Sequence, residues 1–356
     1  MCIRDRFESS GNRDNTLGGT VTVLEGETRI IDSNVQVFDP ELSALNGGLG
    51  DFGGATLAIQ RSGVANGDDV FSPSAPLNFN ATEFSLSGDR KGTFTNLAGR
   101  IELTFDAGVT NAEVNQILQS LQYRNSSDVP PASVDLAWTF NDNNDGSQGD
   151  GGALEGTGTS TFNFTAVNDR PTITDLDTNV AYTENAGPAI IDNDVVLFDA
   201  ELDASGNYDG ATLSIARVGG ADPEDRFSNT GLLDPFMQGT NLVYDGDNVG
   251  SVVLNSGGQL ILRFNSTATD TVVNGVARAI AYANSSDAPP ASVDLEWNFN
   301  DQSTVGGTSA PAVANIQVDI TRVNDAPVLV GTNPHFDSIT EDELSLIHIS
   351  EPTRPY

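Results

Sequence analysis

A thirteen-residue string occurs twice in this chain. Pro130–Asp142 recurs as Pro289–Asp301 at an offset of 159, with only Ala137 against Glu296 and Thr139 against Asn298 differing. Other matches fall in register around it. Tyr123-Arg124-Asn125-Ser126-Ser127-Asp128 pairs with Tyr282-Ala283-Asn284-Ser285-Ser286-Asp287, Gly54-Ala55-Thr56-Leu57 with Gly210-Ala211-Thr212-Leu213, and Val167-Asn168-Asp169 with Val323-Asn324-Asp325. A period this long is the size of a domain and not of a solenoid turn. The chain therefore reads as one domain over 7–169, a second over 170–325, and the start of a third copy over 326–343. Pro171 and Pro327 each stand two residues past the joint aspartate, and a proline that close fixes the backbone, so the joints are expected to be stiff.

The ends read differently. Residues 1–6 and 344–356 can be encoded by DNA strings that are reverse complements of one another, and both resemble a sequencing-library adaptor. They are set aside from fold reasoning. Without them 13 Lys and Arg face 48 Asp and Glu, and the net charge is −35. Cys2 and His348 go as well, leaving His335 as the sole histidine and Lys91 as the sole lysine. A chain without cysteine has no disulfide framework, no thiol nucleophile and no Cys-ligated zinc. One histidine cannot furnish a repeated His-based site. The negative field argues against nucleic acid and anionic membrane as partners. No run of 18 apolar residues exists to span a bilayer as a helix. With 38% apolar residues and 17 Phe, however, the chain can build cores.

Each copy reads mostly as strands. Val134, Leu136, Trp138 and Phe140 alternate with smaller or polar residues, as do Val293, Leu295, Trp297 and Phe299. That period of two buries one face of a sheet. Ile316, Val318 and Ile320 repeat it before the second joint. Asn46–Gly54 and Asn300–Gly307 read as loops. One segment differs: Thr110-Asn111-Ala112-Glu113 is a capping box, and Val114, Ile117, Leu118 and Leu121 follow at helical spacing. The stripe in the second copy is Val273, Val276, Ala277 and Ile280. The expected class is all-β, tandem sandwiches with one short inserted helix each.

Val323-Asn324-Asp325-Ala326-Pro327 resembles the Asn-Asp-x-Pro linker of bacterial cadherin-like repeats, found in large secreted and surface adhesins. Thr183-Glu184-Asn185, Thr340-Glu341-Asp342, Phe38-Asp39-Pro40-Glu41 and Phe198-Asp199-Ala200-Glu201 fit the same pattern, as does the Tyr-x-Asn-Ser-Ser-Asp turn. The resemblance covers nearly all of 7–343. It implies extracellular Ig- or cadherin-like β-sandwiches, calcium at the joints, and adhesion or spacing without catalysis. This chain departs from animal cadherins in placing Asp39 only 14 residues after Glu25, and Asp199 15 after Glu184. It also lacks the full Asp-x-Asn-Asp-Asn linker.

The residues make a case for calcium on their own. A cation of this size takes six to eight oxygens from carboxylates, amides and carbonyls. Glu25, Asp39, Glu41 and Asp169 are expected to converge at the end of the first copy, and Glu184, Asp199, Glu201 and Asp325 at the end of the second. Asp192 and Asp194 are expected to add ligands across the joint. The competing reading is a solvated acidic surface. Asn141–Asp150 opens like a calcium loop but lacks the closing Glu, and the second copy has Asn300-Asp301-Gln302-Ser303-Thr304 in its place, without the later acids, so a polar loop is expected. Trp138 and Trp297 lie on the apolar phase and read as core, His335 as surface, and Asn125-Ser126-Ser127 as a turn more than a glycan acceptor. Paired carboxylates serve glycosidases, but no Gly-x-Ser-x-Gly occurs and the acids recur beside joints, so no enzyme is expected. The partners expected are calcium, neighbouring repeats of the same chain, and surface glycans or proteins. The alternatives kept open are a spacer indifferent to ions and a glycan-binding module.

Overall fold

In a computed structural model, residues 17–146, 151–303 and 310–327 are described. The adaptor-like ends, His335, Glu341 and almost all of the third copy lie outside them. So do Ser147–Asp150 of the loop with the calcium-like opening. Among the described residues no helix is long and apolar enough to cross a membrane.

The first repeat is two sheets facing across one core. The larger has eight strands in the order Thr20–Leu24, Glu155–Thr165, Ser133–Asn141, Thr56–Arg61, Arg100–Phe105, Asp89–Leu97, Glu83–Leu86, Leu77–Asn80. The smaller runs Arg29–Ile30, Leu121–Asn125, Asp69–Pro73. Leu57, Ile59, Leu103, Leu136 and Trp138 from the large sheet meet Phe71, Leu121 and Tyr123 from the small one, all at most 2% exposed. This is the alternation predicted for the Trp strand, and both tryptophans are core.

The second repeat copies this plan with seven strands. Their order is Asn179–Thr183, Ala312–Thr321, Ser292–Asn300, Thr212–Arg217, Gln259–Phe264, Asp247–Ser256, Asn241–Tyr244. Ala189–Ile190, Ile280–Asn284 and Asp225–Asn229 face it. A further two-stranded ribbon pairs Thr172–Thr174, just past the joint, with Val196–Phe198. The first strand of each repeat lies parallel to the last, Thr20 against Thr161 through Leu24 against Thr165, and Asn179 against Gln317 through Thr183 against Thr321.

Among the described residues four helices lie between strands: α1 (Pro40–Gly48), α2 (Asn111–Gln119), α3 (Ala200–Ser205) and α4 (Asp270–Arg278). In α2 both halves of the predicted capping box form, and Val114, Ile117 and Leu118 are buried. Leu121 and Ile280, assigned to the helical stripes by spacing, instead open the strands that follow. Each repeat carries a second helix that the sequence reading missed, α1 and α3. Asp39 and Asp199 cap them, accepting from the Leu42 and Leu202 amides at 2.7 and 2.9 Å. Pro40 at the first helical position suits such a start. Beyond Ser43 the chain in α1 leaves helical geometry, with Asn46 and Gly47 at positive φ.

A buried polar network ties the two sheets at one corner of each repeat. In the first, Arg61 donates to both oxygens of Asp69 at 2.9 and 2.7 Å, and Tyr123 and Asn125 donate to the same carboxylate at 2.6 and 3.0 Å. Arg217, Asp225, Tyr282 and Asn284 repeat it at 3.0, 2.8, 2.6 and 3.0 Å. Asn125 is thus committed to the fold, in line with its reading as a turn residue. Gly99 and Gly258 make the neighbouring turns at positive φ, where a Cβ would run into the backbone of Asn66 and Asp222.

A candidate cation site at the joint

Parallel pairing of first and last strands decides which acids reach the joint. Because Thr20–Leu24 runs beside Glu155–Thr165, the residue after the first strand and the linker after the last leave the sheet together. The Glu25 amide continues the ladder to the Thr165 carbonyl at 3.0 Å, and Glu25 Oε2 accepts from the Val167 amide at 3.0 Å. From the far side, the first turn of α3 presents Glu201, whose Oε1 accepts from the Asp169 amide at 3.0 Å. Glu25, Asp169 and Glu201 each offer a carboxylate oxygen, and these oxygens all lie within 4.8 Å of one another.

The electrostatics show the crowding. Burial lifts the Glu25 carboxyl above its ordinary value, against the Val167 hydrogen bond, and the charges of Asp169, Glu201 and Asp128 push the same way. Asp169 is raised by burial, then by Glu201 and Asp128. Glu25 Oε1 and Glu201 Oε2 are buried with no hydrogen-bond partner. In each of these two side chains one oxygen is pinned by a backbone amide and the other is left for something else. Oxygen donors without nitrogen or sulfur suit a hard cation such as calcium.

The acids do not partition as the sequence spacing led us to expect. Glu25 and Asp169 gather with Glu201 of the next repeat, not with Asp39 and Glu41. Those two stand with Asp142: burial raises the Asp39 carboxyl, against its Leu42 hydrogen bond, and Glu41 and Asp142 add to the rise. Asp39 and Glu41 are the counterparts of Asp199 and Glu201, so they belong to the incoming end of their repeat. Asp199 behaves likewise, pushed up to about 6 by burial, against the Leu202 amide, and by the charges of Glu201 and Asp301. The physical reason is that a glutamate after the first strand and a helix-capping aspartate 14 residues later leave the sandwich at opposite ends.

Glu184 mirrors Glu25. It is 2% exposed, accepts from the Val323 amide at 2.8 Å through Oε2, and leaves Oε1 buried and unpartnered. Asp325 stands exposed two residues after Val323, the place that Asp169 takes after Val167 in the first joint. Asp192 and Asp194 gather elsewhere, with Asp177, their carboxylate oxygens also within 4.8 Å. Asp192 is used up by the fold: Oδ1 takes the Asp194 and Val195 amides at 3.0 and 2.6 Å, and Oδ2 the Asp177 amide at 2.7 Å. Neither is among the charges that raise Glu25 or Asp169.

Two acids at the joint were overlooked in the sequence. Asp128 closes the repeated Tyr-x-Asn-Ser-Ser-Asp turn, and Asp301, 3% exposed, follows the Trp strand. Both had a signal: each acid is kept in the other copy, as Asp287 and Asp142.

No family model matches the chain, and no curated protein does. Solved structures similar to it include human protocadherin-24 EC1-2, at 10% identity and TM-score 0.27, covering 85% of this chain and 95% of that one. Drosophila N-cadherin EC1-4 is similar at 11% and 0.24, over 86% of this chain, which spans about half, 48%, of that one. The CfaE adhesin of enterotoxigenic E. coli is similar at 12% and 0.25, over 88% and 100%. Alignments at these TM-scores add nothing to the sandwich architecture that the strands themselves define.

Proposed function

We propose that this chain is a stretch of tandem β-sandwich repeats from an extracellular adhesin, non-catalytic, whose joints bind calcium. The observation that carries the reading is the convergence of Glu25, Asp169 and Glu201, two of them with a buried oxygen left unpartnered. Glu25 holds the outgoing end of one repeat, Glu201 the incoming end of the next, and Asp169 the linker. An ion shared among them replaces carboxylate repulsion with common coordination and fixes one repeat against the other. Glu184 and Asp325 hold the outgoing half of the second joint, and Asp39 and Glu41 the incoming half that a preceding repeat would complete. A cation that binds only the folded joint adds stability by mass action, about 2.7 kcal/mol at a hundred times its dissociation constant. In domains of this size that corresponds to roughly 5–10 °C.

Melts and small-angle scattering in calcium and in chelator test this. Calcium should raise the melting temperature and lengthen the particle, and Asp169→Asn should weaken binding in a calorimetric titration. Identical melts and scattering profiles with and without the ion would leave only a passive spacer.

A further inference from the structure

Asn-Gly pairs occur at Asn46-Gly47 in the non-helical end of α1, at Asn274-Gly275 inside α4, and at Asn66-Gly67 beside the buried Arg61–Asp69 pair. Only the last stands where the other repeat has Asp-Pro. Arg61, Asn66, Gly67 and Asp69 are the counterparts of Arg217, Asp222, Pro223 and Asp225, at an offset of 156. In the second repeat Asp222 divides its oxygens: Oδ1 accepts from the Glu224 amide at 3.0 Å, and Oδ2 pairs with Arg217 Nη1 at 3.0 Å. The first repeat makes the same turn, with Asn66 Oδ1 on the Asp68 amide at 2.8 Å. That bond fixes which way the side chain faces, and Nδ2 takes the place of Asp222 Oδ2. Arg61 gives Nε and Nη2 to Asp69 at 2.9 and 2.7 Å, and among the described residues nothing accepts from its Nη1. A guanidinium and an amide nitrogen both only donate, so this corner holds a donor where its twin holds a carboxylate.

We propose that Asn66-Gly67 is a self-deamidation site, and that the aspartate it yields completes the ion pair Arg61 lacks. The Gly67 amide nitrogen loses its proton to solvent and attacks Asn66 Cγ. A five-membered succinimide closes, the Cγ–Nδ2 bond breaks, and Nδ2 takes up a proton and leaves as ammonia. Water then opens the ring between Cγ and the Gly67 nitrogen, which restores the peptide bond and leaves a carboxylate at Cγ. The sum is amide plus water to carboxylate plus ammonium. The parts are in place. Gly67 is exposed, its N–H has no acceptor among the described residues, and nothing crowds it. The Asp68 amide polarises the Cγ carbonyl as an oxyanion donor does, and the Arg61 charge favours the anion. Pro223 has no N–H, so the second repeat is closed to this step. Opening the ring at the main-chain carbon instead inserts a methylene into the backbone. Here the Asn66 carbonyl accepts from the Asp69 amide at 3.0 Å, and the Asn66 backbone lies so close to Gly99 that a Cβ there would run into it. The folded chain therefore favours aspartate over isoaspartate.

Ageing the full chain in mildly alkaline heavy-oxygen water, followed by peptide mass mapping, tests the chemistry. The peptide carrying Asn66 should lose ammonia and gain one labelled oxygen, and isoaspartyl methyltransferase should label only a minor part of it. Gly67→Pro should abolish the conversion; proline fits there, since the surround is open and φ is not positive. Urea unfolding tests the consequence. The aged chain and freshly made Asn66→Asp should both unfold at higher urea than the fresh parent at low salt, and high salt should shrink the gain as it screens a partly exposed pair. An Asn66 that stays intact on ageing, or is converted equally in Gly67→Pro, overturns the site. A mainly isoaspartyl product, or an Asn66→Asp chain no more stable than the fresh parent, overturns the pairing with Arg61.

Discussion

Asp225 offers the sharpest test of what holds a repeat together. It is 1% exposed and receives Arg217 on both oxygens, with Tyr282 and Asn284 on Oδ1. Asp225→Asn keeps the shape and removes the charge. Arg217 then keeps one ionic partner, Asp222 at 3.0 Å, and stays 21% exposed. The Tyr282 phenol, which burial and Asp225 hold protonated, donates to a weaker acceptor. Breaking a buried pair on one side costs about 3–5 kcal/mol. The surviving Asp222 contact and the partial exposure of Arg217 place this case near the lower figure, about 3 kcal/mol. For a repeat of this length that is a fall of roughly 6–12 °C. Urea unfolding in saturating calcium, followed by tryptophan fluorescence, measures it. The bond distances in the first repeat match within about 0.1 Å, but Asn66 stands where the second repeat has Asp222, and among the described residues Arg61 pairs only with Asp69, so Asp69→Asn should cost its own repeat more, toward about 5 kcal/mol. A loss below about 0.5 kcal/mol, the range of an ordinary surface substitution, would refute the view that this network fastens one sheet to the other.

Two further outcomes follow. Glu25, Asp169 and Asp199 all have carboxyls raised in the folded state. The folded chain therefore binds more protons than the unfolded one between the unfolded value and the folded one, for Asp199 between 3.8 and about 6. In chelator, stability should rise as pH falls from 7 to 5, by about 1 kcal/mol from Asp199 alone. Calcium requires the charged forms, so in its presence the same titration should lower stability; equal pH slopes in the two buffers would count against the clustering. In α2, Thr110 and Glu113 cap each other, whereas Thr269 makes no side-chain cap bond to α4. Thr110→Ala should cost about 1 kcal/mol and Thr269→Ala well under half of that; equal losses in chemical denaturation would contradict the contrast.

Periodicity made much of the fold legible. The Trp strands, their buried phase and the capping box at Thr110 each came from a local pattern that the core then honoured. What spacing could not supply was direction. Nothing in the interval between Glu25 and Asp39 says that one follows a strand running toward the joint and the other caps a helix at the opposite end. That follows only from the first strand pairing in parallel with the last, a long-range choice. The two short helices were signalled by Asp39-Pro40-Glu41 and Asp199-Ala200-Glu201, where a capping residue precedes an acidic first turn. That signal lay under the reading of the same residues as ion ligands; in Asp199 one oxygen caps α3 and the other has no hydrogen-bond partner. The Arg217–Asp225 pair was invisible because its members sit on different sheets and meet only once the sandwich closes.

Parallel pairing of the terminal strands also sets how a repeat meets a pulling force. Tension enters at the start of Thr20–Leu24 and leaves at the end of Glu155–Thr165, so the two strands are drawn past each other along their length. Every bond of that ladder is strained together and none can peel open ahead of the next. In the second repeat tension first meets the Thr172–Thr174 ribbon and then the same kind of ladder, Asn179–Thr183 against Ala312–Thr321. A string of such units resists stretching by shear, and each yields only when its whole ladder gives way.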